Sequence, residues 1–442
     1  MITLSNNHDV ANRGGFSRLF YASFMLKPPE KKRCEHYGLL PSFQLRLEGN
    51  NMLTKKEWSL VKFTLKIYCK THTVPFDWND EQECLSRTSS KFKIWTSKFC
   101  FVSTFLYLAF VCVRVPSTVL NPDASVADCV MHFVTLSWYA TIWIWQITNL
   151  SNQDSVALLF NQTAFLNIHH GSRFTGEPFA KSKYRHIFLK AFNNNLLPCV
   201  LVWAGVVIGA RHQHFFVFSL FPENMQSKFY IITYVTFEIL FVLQYYPTYT
   251  LLIFFQYMYL MSSKYWLQIV CIEWPKKVDN RSGASSKDPD LETTFQYYKS
   301  LNLINKVYNE CYSSILIPSF KVMSCSCVIV STYACIRFGH SMIPSMAVML
   351  GFVALLQLAF VLCLCTFAAE FHDRTKRFPE NFKTCIVKSE HYKYPLRFYI
   401  KRAKTCWPFG FRVGSFYFIK KITKISVVNL IVNGVLYLLI SY

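Results

Sequence analysis

Residues 425–442 read ISVVNLIVNGVLYLLISY and contain no charged side chain. A helix needs roughly 20 apolar residues to cross the hydrocarbon core of a bilayer, so this stretch has the length of a membrane span. Six other stretches share its length and its apolar character. The seven predicted spans are residues 97–117, 127–150, 192–211, 229–258, 314–338, 343–369 and 425–442. The pattern predicts an all-α, polytopic membrane protein with seven transmembrane helices.

The distribution of charge supports this prediction better than composition does. The chain has 442 residues, of which 52% are hydrophobic, and a formal net charge of +22. Nucleic-acid-binding proteins are also basic, but their basic residues lie on a water-soluble surface. Here the basic residues alternate with membrane-length segments. We therefore expect membrane lipid, through its anionic inner leaflet, as the partner of these charges, and no nucleic acid.

Lysine and arginine also predict the orientation of the chain. Of the 47 Lys and Arg residues, 41 lie in alternate connections, namely 1–94, 151–190, 264–312 and 371–424. Cytosolic connections carry such an excess of basic residues. We expect a cytosolic N-terminus, seven crossings and an extracellular C-terminus, which is the reverse of a G-protein-coupled receptor.

The expected domains are a cytosolic basic N-terminal region, 1–94, and a seven-transmembrane domain, 95–442. In the first, residues 54–70 place four large apolar side chains on one helical face: Trp58, Val61, Leu65 and Tyr68. The face fits an amphipathic helix on the inner membrane surface. It fits equally well an ordinary helix that packs on the cytosolic part of the protein.

Two features are predicted around the fourth span. Apolar residues continue from it to about Ile272, so we expect one long helix that leaves the membrane, with a possible kink at Pro247. The following segment 278–290, VDNRSGASSKDPD, has no hydrophobic period and is typical of a disordered loop.

No catalytic or metal-binding pattern is present. The chain lacks HExxH, GxSxG, P-loop and GxGxxG motifs, so we expect no catalytic residues, no cofactor and no enzymatic activity. The close histidine pairs, His169–His170 and His212-x-His214, are more typical of structural side chains than of a metal site. Most of the 16 cysteines lie in spans or in predicted cytosolic segments, which indicates reduced thiols.

The last span carries a stripe of polar side chains. Asn429, Asn433, Tyr437 and Ser441 recur at every fourth residue and so share one face of a helix. Polar groups in hydrocarbon need water or a partner. The stripe therefore predicts either hydrogen bonds between neighbouring helices or the wall of a water-filled pore, which an oligomer around a shared axis would enclose.

A second candidate site combines an acidic side chain with aromatic ones. Glu238 lies in the outer half of span four, and an acidic residue at membrane depth is a functional candidate. Trp138, Tyr139, Tyr234 and Met346 are predicted at similar depth. These five residues are either the lining of an apolar ligand pocket or packed core, with Glu238 protonated and hydrogen-bonded inside the bundle.

Three segments resemble the arthropod gustatory and odorant receptor superfamily. Residues 410–420, GFRVGSFYFIK, are similar to the segment that precedes the family's final helix, and the distance from Gly414 to Tyr442 is close to the family's. The Gly38–Pro41 and Pro75–Trp78 segments resemble the region before its first span. The hallmark of the gustatory receptors, Thr-Tyr, five residues, Gln-Phe, is absent from the last helix, so the chain resembles a divergent member.

The resemblance implies a ligand-gated, non-selective cation channel of the plasma membrane. Family members are tetramers, and their final helix lines one central pore. By this resemblance Asn429, Asn433, Tyr437 and Ser441 become pore-lining, and the segment 371–424 becomes a cytosolic anchor. A small-molecule tastant or odorant and cations are the implied partners, in a homo- or hetero-tetramer. A G-protein-coupled-type receptor and a multipass membrane enzyme or transporter remain the alternatives.

Overall fold

The computed structural model divides the chain into two units, 1–44 and 45–442, and all described residues belong to the second. The predicted loop 278–290, His170, His212, His214 and the Gly38–Pro41 segment lie outside the described residues. The structure describes residues 55–121, 125–169, 216–220, 228–273, 291–340, 344–388 and 396–441, with isolated positions between 190 and 208.

The described residues are mainly helical, with two short antiparallel hairpins, β1–β2 and β3–β4. A single 3-10 turn covers Val217–Leu220, and a π-helical turn, Ile269–Glu273, continues α5. The helices are α1 Lys55–Lys70, α2 Lys91–Val119, α3 Val126–Ser151, α4 Gln153–His169, α5 Lys228–Gln268, α6 Leu291–Tyr312, α7 Leu316–Phe338, α8 Pro344–Lys388, α9 Leu396–Lys404 and α10 Lys421–Ser441. The strands are β1 Phe76–Asn79, β2 Cys84–Arg87, β3 Arg412–Val413 and β4 Tyr417–Phe418.

Five of these helices, α2, α5, α7, α8 and α10, are long and apolar enough to cross a membrane. The second predicted span corresponds to α3, whose aromatic-rich sequence also includes Gln146 and Asn149. Most of the predicted span 192–211 lies outside the described residues. The chain is a predominantly helical, multi-pass membrane protein.

The helix bounds confirm one prediction and alter another. The chain from Lys228 to Gln268 is one helix through Pro247, as the continuous apolar sequence predicted. By contrast, α8 does not end near residue 369 but continues to Lys388. It continues because Phe371, Phe378 and Phe382 keep an apolar face on the protein core.

The helix predicted over residues 54–70 is observed as α1, and it packs on the protein. Trp58, Val61, Leu65 and Tyr68 are all buried in the main core. The Trp58 indole N–H also donates to Glu83 at 2.9 Å. These contacts favour the packed interpretation over a helix lying on the membrane surface.

The β1–β2 hairpin, which contains the Pro75–Trp78 segment, joins α1 to the transmembrane helices. The Asn161 side chain on α4 pairs with both backbone groups of Leu85, accepting from its N–H at 2.8 Å and donating to its carbonyl at 2.7 Å. On the other strand, the Lys93 ammonium donates to Asp77 at 2.5 Å and to the Cys69 carbonyl at 2.7 Å. The hairpin is therefore fixed at both strands.

Two separate hydrophobic cores organise the described residues. We name the larger one the anchor cluster; its central members are Tyr259, Tyr298, Tyr308, Phe371, Phe378, Phe409 and Phe411. We name the smaller one the Glu238 cluster, after the carboxyl buried beside it; its members include Tyr107, Val111, Tyr139, Phe216, Phe218, Tyr234, Phe241 and Tyr245.

Candidate functional site

The segment before the last helix is a tight hairpin that leads into α10. Strands β3 and β4 are joined through Gly414, whose φ of 59° suits a residue without a side chain. The Gly414 N–H donates to the Ser313 carbonyl at 2.7 Å. The Gly410 carbonyl accepts from the Asn305 and Asn309 side chains at 3.1 and 2.9 Å. This network holds the start of α10 against the α6–α7 connection.

One tyrosine of the anchor cluster, Tyr298, also forms hydrogen bonds with backbone carbonyls of other segments. Tyr298 is fully buried, and its hydroxyl contacts the Thr375 and Trp407 carbonyls at 3.1 and 3.0 Å. Its ring stacks on Phe378 with centroids 3.9 Å apart. Since Thr375 lies on α8 and Trp407 follows α9, a single side chain connects three segments that are far apart in sequence.

One face of α10 packs on α7 and α8. The side chains of that face are Thr423, Val427, Ile431 and Val435, and all are buried. Gly434 lies beside this face, and a Cβ placed there would lie 2.7 Å from the Ile329 Cδ1 atom of α7. The glycine thus permits close approach of the two helices.

The predicted polar stripe lies on the surface of the chain. Asn429, Asn433, Tyr437 and Ser441 are all exposed, and the Tyr437 side chain retains 68% of its accessible area. Twelve residues of helix separate the first from the last, which corresponds to about 18 Å along the axis. The packing of α10 therefore leaves the stripe to face whatever surrounds the chain.

The surroundings of the stripe must supply hydrogen bonds. An amide side chain exposed to lipid has no partner for its N–H and C=O groups, and each such group costs several kcal/mol. Asn429 and Asn433 are both exposed, so the packing of this chain does not enclose either amide. Water or another protein surface is the environment that suits this face.

The second candidate site places Glu238 at the meeting point of two helices. Its carboxyl is fully buried, and its Oε1 atom accepts from the Tyr107 hydroxyl at 2.9 Å and from the Tyr234 hydroxyl at 2.6 Å. The first bond joins α2 to α5, and the second lies within one turn of α5. Hydrogen bonds of this kind offset part of the cost of burying a carboxyl group.

Aromatic rings enclose this carboxyl. The Tyr107 ring lies 4.5 Å from that of Tyr139 and 5.1 Å from that of Phe241. Phe241 in turn contacts Tyr245 at 5.7 Å. Phe241 and Tyr245 follow Glu238 at helical spacing, a signal that the sequence contained, whereas nothing in the sequence distinguished Tyr107 from other tyrosines in the spans.

The structure brings together three of the five predicted pocket residues. Tyr139, Tyr234 and Glu238 meet in the Glu238 cluster. Trp138 points elsewhere: it is 39% exposed, and its ring lies 5.5 Å from Tyr249. Met346 lies in the first turn of α8, and its side chain is outside the described part of the molecule.

A histidine near the same core has a structural arrangement. His132 is buried, with its Nε2 atom 2.8 Å from the Val111 carbonyl and its Nδ1 atom 2.8 Å from the Thr118 hydroxyl. A carbonyl can only accept, so Nε2 carries a proton and donates it to Val111. His132 thus joins α2 and α3.

Metal-ligating and nucleophilic chemistry has little geometric support in the described ranges. Within them, no three His, Cys, Asp or Glu side chains gather as a metal site. The described cysteines are free thiols. Burial raises the pKa of the Cys406 thiol, which lies beside the anchor cluster, to about 12, so it stays protonated near neutral pH.

Comparison with solved structures identifies the fold. The insect olfactory receptor OR5 from Machilis hrabei in complex with eugenol matches with a TM-score of 0.55 and 14% identity, over 88% of this chain and 98% of that chain. A second structure of the same receptor matches with a TM-score of 0.54 and 14% identity, over 87% of this chain and 97% of that chain. No family model and no curated protein sequence matches the chain.

The fold defines a class of protein: a multi-pass, helical membrane protein with the insect olfactory receptor architecture. The resemblance to the arthropod gustatory and odorant receptor superfamily, which rested on short segments of sequence, is confirmed at the level of the fold.

Proposed function

We propose that this protein is a chemosensory receptor that acts as a ligand-gated, non-selective cation channel and is a divergent member of the arthropod gustatory and odorant receptor superfamily. The observation that carries the proposal is the exposed polar face of α10, on a chain that shares the olfactory receptor fold over nearly its whole length. Polar side chains offer hydrogen bonds to the water in a pore, and apolar side chains between them can gate it by dewetting.

The pore requires more than one copy of the chain. One exposed helix face cannot enclose water, but four copies around an axis place four copies of the stripe on a common channel. We propose that Asn429, Asn433, Tyr437 and Ser441 line it in a homo- or hetero-tetramer. The anchor segment 371–424, with the network around Gly410 and Tyr298, holds the base of each α10 in place.

The orientation and span count follow the sequence prediction. We propose seven spans, a cytosolic N-terminal region 1–94, an extracellular C-terminus and a plasma-membrane location, supported by the distribution of Lys and Arg. Epitope tags at both ends of expressed protein test the orientation: only the C-terminal tag should stain intact cells. Asn149 and Asn161 each begin an Asn-x-Ser/Thr glycosylation sequon. Their glycosylation does not test the orientation, because Asn149 is buried and the Asn161 side chain is bonded to Leu85.

The Glu238 cluster is the proposed binding site for a small-molecule tastant or odorant. Its aromatic walls suit an apolar ligand, and the Glu238, Tyr107 and Tyr234 polar atoms would orient it. The insect olfactory receptor with the same fold was solved in complex with eugenol. Ligand binding that moves α5 against α2 would be transmitted through the long α5 helix to the anchor cluster.

Recording ligand-evoked currents tests the function. The full chain is expressed alone and with a co-receptor subunit, its surface expression is measured, and a broad panel of tastants and odorants is applied. We expect inward cation currents for some ligands. Absence of current across the panel, in cells with confirmed surface protein in both arrangements, would contradict the channel.

Cysteine accessibility tests the pore face. Asn433→Cys should become sensitive to a charged, water-soluble thiol reagent, which should block the evoked current. Ile431→Cys, two residues away on the buried face, is the matched control and should remain insensitive. Equal insensitivity of Asn429→Cys and Asn433→Cys would place the stripe against protein and not against water.

A further inference from the structure

We propose that the Glu238 cluster selects ligands that carry a positive charge, in particular small amines with an apolar body. The inference rests on the proposed receptor function and names the ligand class of that same site. It comes from the juxtaposition of one buried carboxyl, two hydroxyl donors and a set of aromatic ring faces between α2, α3 and α5.

The first argument is the chemistry of the buried carboxyl. Both the Tyr107 and the Tyr234 hydroxyls donate to the same Oε1 atom of Glu238, at 2.9 and 2.6 Å. A carboxylate offers about four acceptor positions on its two oxygens, and both of these bonds fall on one oxygen. The group is an acceptor held in place by its neighbours, and a ligand that donates from a charged nitrogen forms the strongest hydrogen bond with it.

The second argument is the arrangement of the rings. The Tyr107, Tyr139 and Phe241 rings lie within 4.5 to 6.1 Å of one another next to the carboxyl. The Phe218 ring lies 5.1 Å from the ring of Tyr234. Aromatic faces attract cations through their quadrupole, and clusters of such faces recognise quaternary ammonium groups. Rings and carboxyl therefore favour the same charge.

The third argument is that the contacts of this site are made by side chains. The hydroxyls of Tyr107 and Tyr234 bond to a side-chain carboxyl, so exchanging one of these bonds breaks no helix hydrogen bond. The carboxyl would then exchange a hydroxyl donor for a ligand ammonium. A neutral ligand does not compensate the negative charge of the carboxylate, so its exchange for a hydroxyl donor is less favourable than that of an ammonium group.

Matched ligands test the charge preference on the full chain in the recording assay described above. The probes are 2-phenylethylamine and 2-phenylethanol, which differ in one polar group, and trimethyl(2-phenylethyl)ammonium with its neutral tert-butyl isostere. We expect each cation to activate at a concentration at least about tenfold lower than its neutral partner. Equal potency within both pairs would overturn the inference.

Glu238→Gln tests the residue. Glutamine keeps the shape and an acceptor oxygen for the two hydroxyls, but it removes the charge. We expect the potency of both cations to fall at least about tenfold, with the neutral partners changed by less than about threefold. If cations and neutral ligands lose potency equally, Glu238 has a structural role only, and the inference fails.

Asp128→Asn is the matched control for an effect of the protein's net charge on the attraction of cationic ligands. Asp128 is an acidic residue in the first turn of α3, where it caps the helix with Ser125, a role that asparagine can also fill. We expect no change in the preference for cations. A loss as large as that of Glu238→Gln would mean that net charge, and not the cluster, attracts the ligands.

The outcomes separate the inference from the proposed function. Currents evoked by neutral ligands without a preference for cations leave the channel intact and reject the amine site. Failure of every ligand to evoke a current in surface-expressed protein rejects both. If Glu238→Gln does not reach the surface, the pair of trimethylammonium and tert-butyl ligands on the wild-type chain still decides the charge preference.

Discussion

The anchor cluster and the Glu238 cluster are both rich in buried tyrosine, but their hydroxyls have different partners. In the anchor cluster, the Tyr298 hydroxyl bonds to backbone carbonyls of two distant segments. In the Glu238 cluster, the Tyr107 and Tyr234 hydroxyls converge on a side-chain carboxyl. The first arrangement fixes the path of the chain, whereas the second fixes only rotamers.

This difference indicates that the two clusters have different roles, one in stability and the other in the response to ligand. A backbone carbonyl cannot move without moving its helix, so the anchor cluster keeps α6, α8 and the segment after α9 in one arrangement. A side-chain acceptor can be exchanged for a ligand at lower cost, because only χ angles change. We expect stability to depend mainly on the anchor cluster and ligand response mainly on the Glu238 cluster.

The largest expected effect on stability is at Tyr298. Tyr298→Ala removes a fully buried ring that stacks on Phe378 at 3.9 Å, and we expect a loss of about 3–5 kcal/mol, as for other buried aromatic residues. Thermal unfolding of the detergent-solubilised protein measures it. Phe352→Ala, on the exposed face of α8, is the control and should change stability by no more than about 0.5 kcal/mol. Similar losses of stability for Tyr298→Ala and Phe352→Ala would contradict the proposal that stability depends mainly on the anchor cluster.

The next effect is expected at the hairpin that carries α10. Gly414→Ala introduces a side chain at a φ of 59°, where a Cβ would also lie 3.1 Å from the Phe416 ring, and should cost about 1–2 kcal/mol. Gly351→Ala is its matched control: no atom lies within 4 Å of the added Cβ, and alanine favours the helix, so we expect slight stabilisation. Unfolding temperatures that rank the two variants in the other order would contradict this account of the hairpin.

Removing one hydroxyl from each cluster compares them directly. Tyr298→Phe removes the hydroxyl that contacts the buried Thr375 carbonyl and the partly buried Trp407 carbonyl, and should cost about 1–3 kcal/mol. Tyr107→Phe leaves Glu238 with its bond from Tyr234 and should cost about 1 kcal/mol or less. We also expect Tyr107→Phe, and not Tyr298→Phe, to shift the ligand dose–response curve. A shift of the dose–response curve by Tyr298→Phe alone would contradict the proposal that the ligand response depends mainly on the Glu238 cluster.

The smallest effect is expected at the edge of the anchor cluster, in the β1–β2 hairpin. Burial alone would raise the pKa of Asp77, but the hydrogen bonds from Lys93 and Thr88 lower it below its ordinary value. An acid with a lowered folded-state pKa stabilises the fold above its unfolded pKa of about 3.9, and that contribution is lost as the pH falls through the folded value.

Asp77→Asn should therefore lower the unfolding temperature slightly at pH 7, by the equivalent of at most about 1 kcal/mol, and the difference from wild type should shrink toward pH 3. Asp80→Asn, which removes an exposed carboxylate paired with Lys66, is the control and should have less effect at every pH. A difference between Asp77→Asn and wild type that grows as the pH falls would contradict the sign of this linkage.

Several features were predictable because local sequence decides them. Hydropathy placed α2, α5, α7, α8 and α10, and the apolar period placed α1, within a few residues of their starts. The end of α8 at Lys388 was not predictable from span length, because the residues after 369 are polar on average and are kept helical by packing of Phe371, Phe378 and Phe382 on the anchor cluster.

The candidate sites were only partly predictable. The fourfold period placed Asn429 and Asn433 on one face of α10, since helix geometry alone determines which side chains align. It did not say whether that face would be buried. The opposite face carries Val427 and Ile431, and its packing on α7 and α8 left the asparagines exposed.

The sequence by itself determined that this protein crosses a membrane and which side chains share the face of its last helix. Those properties depend on apolar length and helical period, which are local. Only the tertiary structure decided that Tyr107 reaches Glu238 across 131 residues and that Tyr298 joins three segments. Helices of similar apolarity give the sequence no preference for a partner, so side-chain packing between them made that choice.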